Sequence, residues 1–275
     1  MEALKTIARY LLWGVFGRNI GNIEAVSVFD GPLRGKLLPK QPALDQLSML
    51  FGRYEPAVMS EIFSLRETTK VAYDVGANVG YVTLALAHRL KDRGRIFAFE
   101  PVPGNVELIK KMTALNNLEE RVATHLLALG NKTGEQRFVL WGSSAMHLLE
   151  TALNGQDTGL CQSIVVQSST IDAFVFEQNN PPPDLIKIDV EGAEVLVLEG
   201  ASRTLSTYSP SIIMEVHGPE NAQRAWEMLD GLNYSWLRLT DKGRSTILTE
   251  ANLVSYFSKH CWTNHFLLTK EQTKT

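Results

Sequence analysis

Two cysteines, Cys161 and Cys261, are all that the 275 residues contain, and neither lies in a metal-type spacing. A disulfide framework is thereby excluded, and both read as ordinary, partly buried thiols of a reducing compartment, so the expected location is cytoplasmic. Long apolar runs are missing as well. The N-terminal stretch from Met1 to Gly17 is interrupted by Arg9 and falls far short of the roughly 20 residues that a transmembrane helix needs. It has no small-residue cleavage site after a clean apolar segment, which argues against a signal peptide. It reads as a short amphipathic helix packed on the domain, with peripheral membrane contact through residues 1–17 as the alternative. Nor is there a dense Lys/Arg block. The formal net charge is −3 and the pI about 6.1, which argues against a nucleic-acid partner. No internal repeat or low-complexity segment interrupts the chain.

What remains is the composition of a globular protein with a real core, 44% hydrophobic and 21% charged. Residues 1–66 read as an N-terminal extension. It comprises a helix, a hairpin over Ile23–Phe29, turn material at Gly31–Gly35, and a helix over Ala57–Leu65 entered through Tyr54-Glu55-Pro56. Residues 67–275 read as one α/β domain. Strands are expected at Val71–Val75, Arg95–Phe99, Val122–Leu127, Leu185–Val190 and Ser211–Val216, with helical spacing between them, as at Val79, Val82, Leu86 and Leu90. Such alternation implies a parallel sheet with helices on both faces. Extra strands are expected at Glu135–Leu140 and Ile164–Ser168. A terminal antiparallel pair, Tyr234–Thr240 and His265–Thr269, brings the main sheet to seven strands.

The most informative segment is Val71-Ala-Tyr-Asp-Val-Gly-Ala-Asn-Val-Gly80, a buried-type strand running into a glycine turn. Gly76 and Gly80 fall as G-x-x-x-G and not as the dinucleotide pattern G-x-G-x-x-G. Bare backbone N–H groups suit a pyrophosphate, whereas the carboxylate of Asp74 beside the turn would repel one and welcome a cation. S-adenosylmethionine, with a sulfonium, an ammonium and one carboxylate, meets that requirement. Asp74 and Asn78 are candidates for its amino group, with Gly76 and Gly80 giving close backbone approach. Glu100 ends the next strand, Arg95–Phe99, where a carboxylate accepts hydrogen bonds from ribose hydroxyls. Ala128, in Leu127-Ala-Leu-Gly130, follows the third strand, where an adenine ring would lie.

The run Leu185-Ile-Lys-Ile-Asp-Val-Glu-Gly-Ala-Glu194 places charges in what should be the most buried strand. Lys187 and Asp189 must therefore be paired or face a pocket. Ligands of open α/β sheets bind beyond the carboxyl ends of the strands. Asp189 and Glu191 fall there, and the next strand brings Glu215 and His217 to the neighbouring mouth. His217 is the first choice for a general base, aided or oriented by Asp189 or Glu191. Asp189, Glu191, Glu215 and His217 are also weak candidates for a hard cation. Mg²⁺ is the metal their carboxylates favour, although no ligand spacing demands one and none is expected.

Taken together, Tyr73–Gly80, Phe99-Glu100-Pro101, Ser169-Thr-Ile-Asp172 and Ile186-Lys-Ile-Asp-Val-Glu-Gly192 resemble the FkbM-type methyltransferases over about residues 54–216, Tyr54-Glu55-Pro56 included. The resemblance implies a Rossmann-like class I methyltransferase fold and S-adenosylmethionine-dependent O-methylation, often of sugar or polyketide hydroxyls in natural products and surface glycans. It places the cofactor on Glu55, Asp74, Gly76, Asn78, Gly80, Glu100 and Asp189. The expected partner is a small-molecule or glycan acceptor.

Two rival readings stay open. An NAD-dependent oxidoreductase would share Glu100 but should carry G-x-G-x-x-G. A non-catalytic methyltransferase-like module should have lost cofactor positions that are present here. The segment from Trp141 to Gln162, with Ser143, Ser144 and His147, is read either as acceptor wall or lid or as a plain surface loop. Core packing is the expectation for Trp226, Trp236 and Trp262, with sugar stacking the alternative.

Overall fold

A computed structural model describes residues 17–20, 23–40, 45–141, 146–149, 162–240, 243–247, 249–257 and 263–270. The helix expected at the N-terminus, Cys161, Cys261, Trp262, Ser143 and Ser144 lie outside the described residues.

The described chain begins with a three-stranded antiparallel sheet, β1 (Gly17–Ile20), β2 (Ile23–Ser27) and β3 (Leu37–Pro39). The hairpin expected over Ile23–Phe29 therefore closes further upstream, with Ile20 opposite Ile23. Gly31 and Gly35, both at φ +83°, carry the turn into β3 in a conformation that L side chains rarely adopt. Helices α1 (Asp45–Leu50) and α2 (Pro56–Phe63) follow. Pro56 opens α2, where its missing N–H costs nothing.

The main unit alternates β4 (Val71–Val75), α3 (Tyr81–Leu90), β5 (Arg95–Glu100), α4 (Pro103–Leu115) and β6 (Val122–Leu126). An excursion then builds a separate sheet from β7 (Ala128–Leu129), β8 (Gly134–Trp141), β9 (Met146–Leu149) and β10 (Gln162–Ser169), in the order β7-β10-β8-β9. The chain returns through β11 (Leu185–Ile188), α5 (Glu194–Glu199), α6 (Ser202–Tyr208), β12 (Ser211–His217) and α7 (Pro219–Asp230). It closes with β13 (Ser235–Thr240), β14 (Gly243–Ile247), α8 (Glu250–Ser255) and β15 (Thr263–Thr269).

The main sheet runs β14-β13-β15-β12-β11-β4-β5-β6. Its inner strands from β12 to β6 are parallel, and β15 runs antiparallel between β12 and β13. The fold is α/β and Rossmann-like, of the class I methyltransferase type, with eight strands in place of the seven expected. The additional strand, β14, forms a tight hairpin with β13, Thr240 facing Gly243. It lies inside the stretch Asp241–Asn264 that reads as a connection. Four of its five residues are exposed, so a polar edge strand leaves no alternating pattern to detect.

Strands covered on both faces explain the near-continuous apolar runs. Ala72, Leu185, Ile213 and Leu267 face one core layer with residues of α2, α3 and α4. Val26, Val28, Leu33 and Leu38 of the N-terminal segment join that layer. Tyr73, Ile186, Met214 and Phe266 face the other layer with α5, α7 and α8. An ion pair between Glu61 of α2 and Arg244 of β14 ties the extension to the far edge of the sheet.

Trp236 is 1% exposed. It stacks on Trp226 at 5.6 Å and meets Phe266 edge-on at 5.4 Å, so Trp226 and Trp236 serve packing. Trp236→Ala should cost about 3–5 kcal/mol. In urea denaturation the midpoint should fall with the slope preserved.

Candidate active site

The chain enters the main sheet at β4, proceeds outward to β5 and β6, then crosses back to β11 on the other side of β4. Strand order reverses between β4 and β11, and in open sheets that reversal opens a crevice at the carboxyl ends. A cleft lies there, with about 580 Å³ of empty space that is continuous with solvent. Its walls come from the ends of β4, β5, β7 and β11 and from Phe138 of β8.

The glycine turn after β4 is shaped by backbone demands. Gly76 (φ +76°), Asn78 (φ +50°) and Gly80 (φ +88°) all lie in the left-handed region, so the helix expected from Val79 starts only at Tyr81. A Cβ on Gly76 would approach the Asp189 carbonyl oxygen to 1.8 Å, and one on Gly80 would reach Met112 of α4 at 2.9 Å. Both glycines thus admit neighbouring protein, Gly76 at the cleft and Gly80 beneath it. The Gly76 and Ala77 N–H groups both donate to the Phe99 carbonyl at 3.0 Å, clamping the turn onto β5.

Glu100 lines the cleft as expected, although it is only 3% exposed. Its carboxylate accepts hydrogen bonds from the backbone N–H of Asn78 (2.9 Å) and Val102 (3.0 Å) and from the Asn105 side chain (3.2 Å). Burial pushes this carboxyl up to about 7, against the downward pull of those bonds. A carboxylate offers about four acceptor positions, and with three taken one is left on Oε2 for a ribose hydroxyl.

Asp74 is fully buried and does not line the cleft. It accepts from Thr83 Oγ1 at 2.5 Å and faces Lys187 Nζ at 3.8 Å. Burial raises its pKa while Lys187 and Thr83 oppose the rise. Lys187 donates to Asp189 Oδ2 at 3.1 Å, and that carboxylate does line the cleft. Burial alone would depress Lys187, but Asp189, Asp74 and Glu55 hold its pKa above the ordinary value. Lys187 and Asp189 are therefore paired, and of the two only Asp189 lines the pocket.

Beyond Ile188 the chain leaves the sheet, so the strand expected to reach Val190 stops short. Glu191 (φ +51°) and Gly192 (φ +100°) turn it toward α5. Glu194, fully buried, accepts from Gly192 N at 2.7 Å and pairs with His217 Nδ1 at 2.9 Å. His217 Nε2 meets Glu191 at 3.1 Å. Burial would lower the imidazole pKa, yet the bonds to Glu191 and Glu194 raise it to about 11. A ring held as imidazolium, donating from both nitrogens, has no lone pair to accept a proton. In this arrangement His217 cannot start as the general base, and it does not line the cleft.

Glu55 lies at the N-cap of α2 in a left-handed conformation (φ +42°, ψ +59°). The residue is half-buried, but its Oε2 is cut off from solvent and accepts no hydrogen bond. Burial raises its pKa, and Lys187, Asp189, His265 and Glu215 all act on it electrostatically. His265, opposite Glu215 in register, brings its Nε2 within 3.3 Å of Glu215 Oε2. Burial would raise Glu215, but His265 and His217 hold it down to about 2.

Gly76, Asn78, Glu100, Ala128, Asp189 and Glu191 thus line one cleft. Asp74, Gly80, Glu55, Glu215 and His217 stand outside its lining. Sequence reading missed Thr83, Asn105, Glu194 and His265 as partners. Only Glu194 had a local signal, a charge three residues past Glu191 at the start of a helix whose other buried residues are apolar.

A model of the methyltransferase FkbM domain matches residues 74–241, more than half of the chain. The hexuronic acid methyltransferase AglP of Haloferax volcanii is 25% identical over 165 residues, covering 60% of this chain and 63% of AglP. The chain thus spans less than two thirds of that relative's length. A methyltransferase FkbM structure from Methylobacillus flagellatus superposes with a TM-score of 0.47 at 17% identity, over 74% of this chain and 45% of that one. An S-adenosylmethionine-dependent O-methyltransferase from Thermotoga maritima gives 0.46 at 13% identity, over 92% and 79%. The match over residues 74–241 identifies the chain: it belongs to the FkbM methyltransferase domain family.

Proposed function

We propose that the chain uses S-adenosylmethionine to methylate a hydroxyl of a sugar, a glycan or glycolipid, or a natural-product acceptor. One observation carries the cofactor reading. Among the described residues, the cleft at the strand-order reversal is lined by the acidic residues Glu100, Asp189 and Glu191 and by no Lys or Arg. Such a wall favours a cationic ligand and repels a pyrophosphate, which sets the dinucleotide reading aside. A sugar acceptor is supported by the relative named for hexuronic acid methylation.

In this proposal Glu100 accepts a ribose hydroxyl, and Leu127, Ala128 and Leu129 supply the apolar wall for the adenine ring. Asn78 and Asp189 face the amino-acid end, with Asp74 and Lys187 fixing Asp189 from below. When bound, the cofactor supplies a methyl group on a sulfonium, open to in-line displacement by an oxygen nucleophile. The chain's contribution begins with orientation, which can supply roughly 7–11 kcal/mol when reactants are held in near-attack geometry. Glu191 lines the cleft and shares a hydrogen bond with His217. It is the candidate to take the acceptor's proton, with the imidazolium stabilising its charge.

Calorimetry with S-adenosylhomocysteine should give one binding site per chain, and no heat would remove the cofactor assignment. Glu100→Gln should weaken that binding by about 1.5–3 kcal/mol, the worth of hydrogen bonds to a charged acceptor.

Burial holds the free carboxyl near 7, and it must be ionised to keep its three present donors and accept a ribose hydroxyl as well. Affinity should therefore be level above that pH and fall below it, by about tenfold between pH 8 and 6. Glu100→Gln should lose this step, and an identical pH profile in the variant would take Glu100 out of ribose recognition.

A further inference from the structure

We propose that Asp189, Glu215 and His217 form a binding site for a divalent transition-metal ion beside the cleft. One ligand atom from each lies within 4.8 Å of the others, close to the span that a single ion can bridge at about 2.0–2.4 Å per bond. The fold produces this convergence. Glu215 and His217 are two apart on β12 and share a face, and Asp189 follows Ile188, the last β11 residue paired with β12, opposite Met214.

The imidazole is already oriented for the task. Glu194 is buried and takes Nδ1 at 2.9 Å, while its own place is fixed by Gly192 N at 2.7 Å. That leaves Nε2 turned toward Glu191 at 3.1 Å and Glu215 at 3.9 Å. A carboxylate holding one nitrogen while the other faces a carboxylate cluster is the outer-shell arrangement of metal-bound histidines. As the ion enters, the Nε2 proton leaves to solvent and Glu191 is released from its hydrogen bond.

A second and independent observation points to a missing cation. Glu55, on a different element, interacts electrostatically first with Lys187 and then with Asp189, His265 and Glu215, yet its Oε2 is shut off from solvent with no hydrogen-bond partner. With Asp74, Asp189, Glu191, Glu194 and Glu215 it makes six carboxylates. These face three basic groups, Lys187, His217 and His265. Burial disfavours the ionised forms of Glu55 and Asp74, and a bound cation would favour them. One imidazole with two carboxylates suits Mn²⁺, Fe²⁺ or Zn²⁺ better than Mg²⁺ or Ca²⁺. Under the methyl-transfer reading, on which this role rests, the ion would lower the pKa of an acceptor hydroxyl. Ion binding itself does not depend on that reading.

The test uses the purified chain, stripped with chelator and then titrated with Mn²⁺. Free ion is followed by electron paramagnetic resonance, and S-adenosylhomocysteine is titrated into the same preparation. One Mn²⁺ per chain is expected. Glu215→Gln should weaken uptake by about tenfold or more while S-adenosylhomocysteine affinity holds. His217→Asn, at a residue outside the cleft lining, serves as the second variant if the first fails to fold. A preparation that binds S-adenosylhomocysteine but shows no saturable Mn²⁺ uptake would overturn the metal site and leave the cofactor reading intact. Uptake unchanged in the variants would overturn it too. Uptake of Mn²⁺ without S-adenosylhomocysteine would uphold the metal site and strike the cofactor reading instead.

Discussion

The ammonium of Lys187, buried between Asp74 and Asp189, is the constraint around which this protein is arranged. A lysine at 4% exposure in the central strand of a sheet is tolerable only with its counter-charges in place. Those counter-charges come from the neighbouring strand β4 and from the first residue beyond β11. Breaking such a set by removing one partner typically costs about 3–5 kcal/mol. The pairing therefore holds the Asp189 loop at a set height above the sheet. That loop in turn packs against Gly76, so the two turns that frame the cleft are fixed relative to each other.

From this pair outward, charge is graded across the sheet. Asp74 is wholly enclosed, Glu100 is nearly so although it lines the cleft, and Asp189 and Glu191 at the cleft wall are partly open. Enclosed carboxylates position their neighbours, whereas those at the wall meet what enters. The same gradation explains why His217 is not free. An imidazole among Glu191, Glu194 and Glu215 gains more from being charged than burial costs it.

Much of this was legible in the chain itself, and the reasons differ by element. The parallel strands were readable because both of their faces are covered. Val71–Val75 and Leu185–Ile188 are apolar apart from Asp74 and Lys187, and those exceptions marked the site. Glu100 was readable because its position at a strand end follows from topology. β14 was not, since its exposed residues Gly243 to Thr246 carry no periodic pattern. The state of His217 was also hidden. It depends on Glu194, 23 residues away and brought close only by the α5 and β12 packing. Glu55 and His265 lie still further off in sequence, and their convergence on Asp189 is a property of the assembled sheet.

The side sheet β7-β10-β8-β9 has one further bearing on the molecule. Phe138 reaches the cleft from a sheet that shares no strand with the eight-stranded one, and its packing partners are Ala128, Val166 and Ala193. One wall of the pocket thus comes from a sheet outside the strand ladder that carries the ionic framework, packed against it at Ala193. Such a division lets selectivity drift by rebuilding an insert, while the chemistry stays anchored in a ladder that need not change.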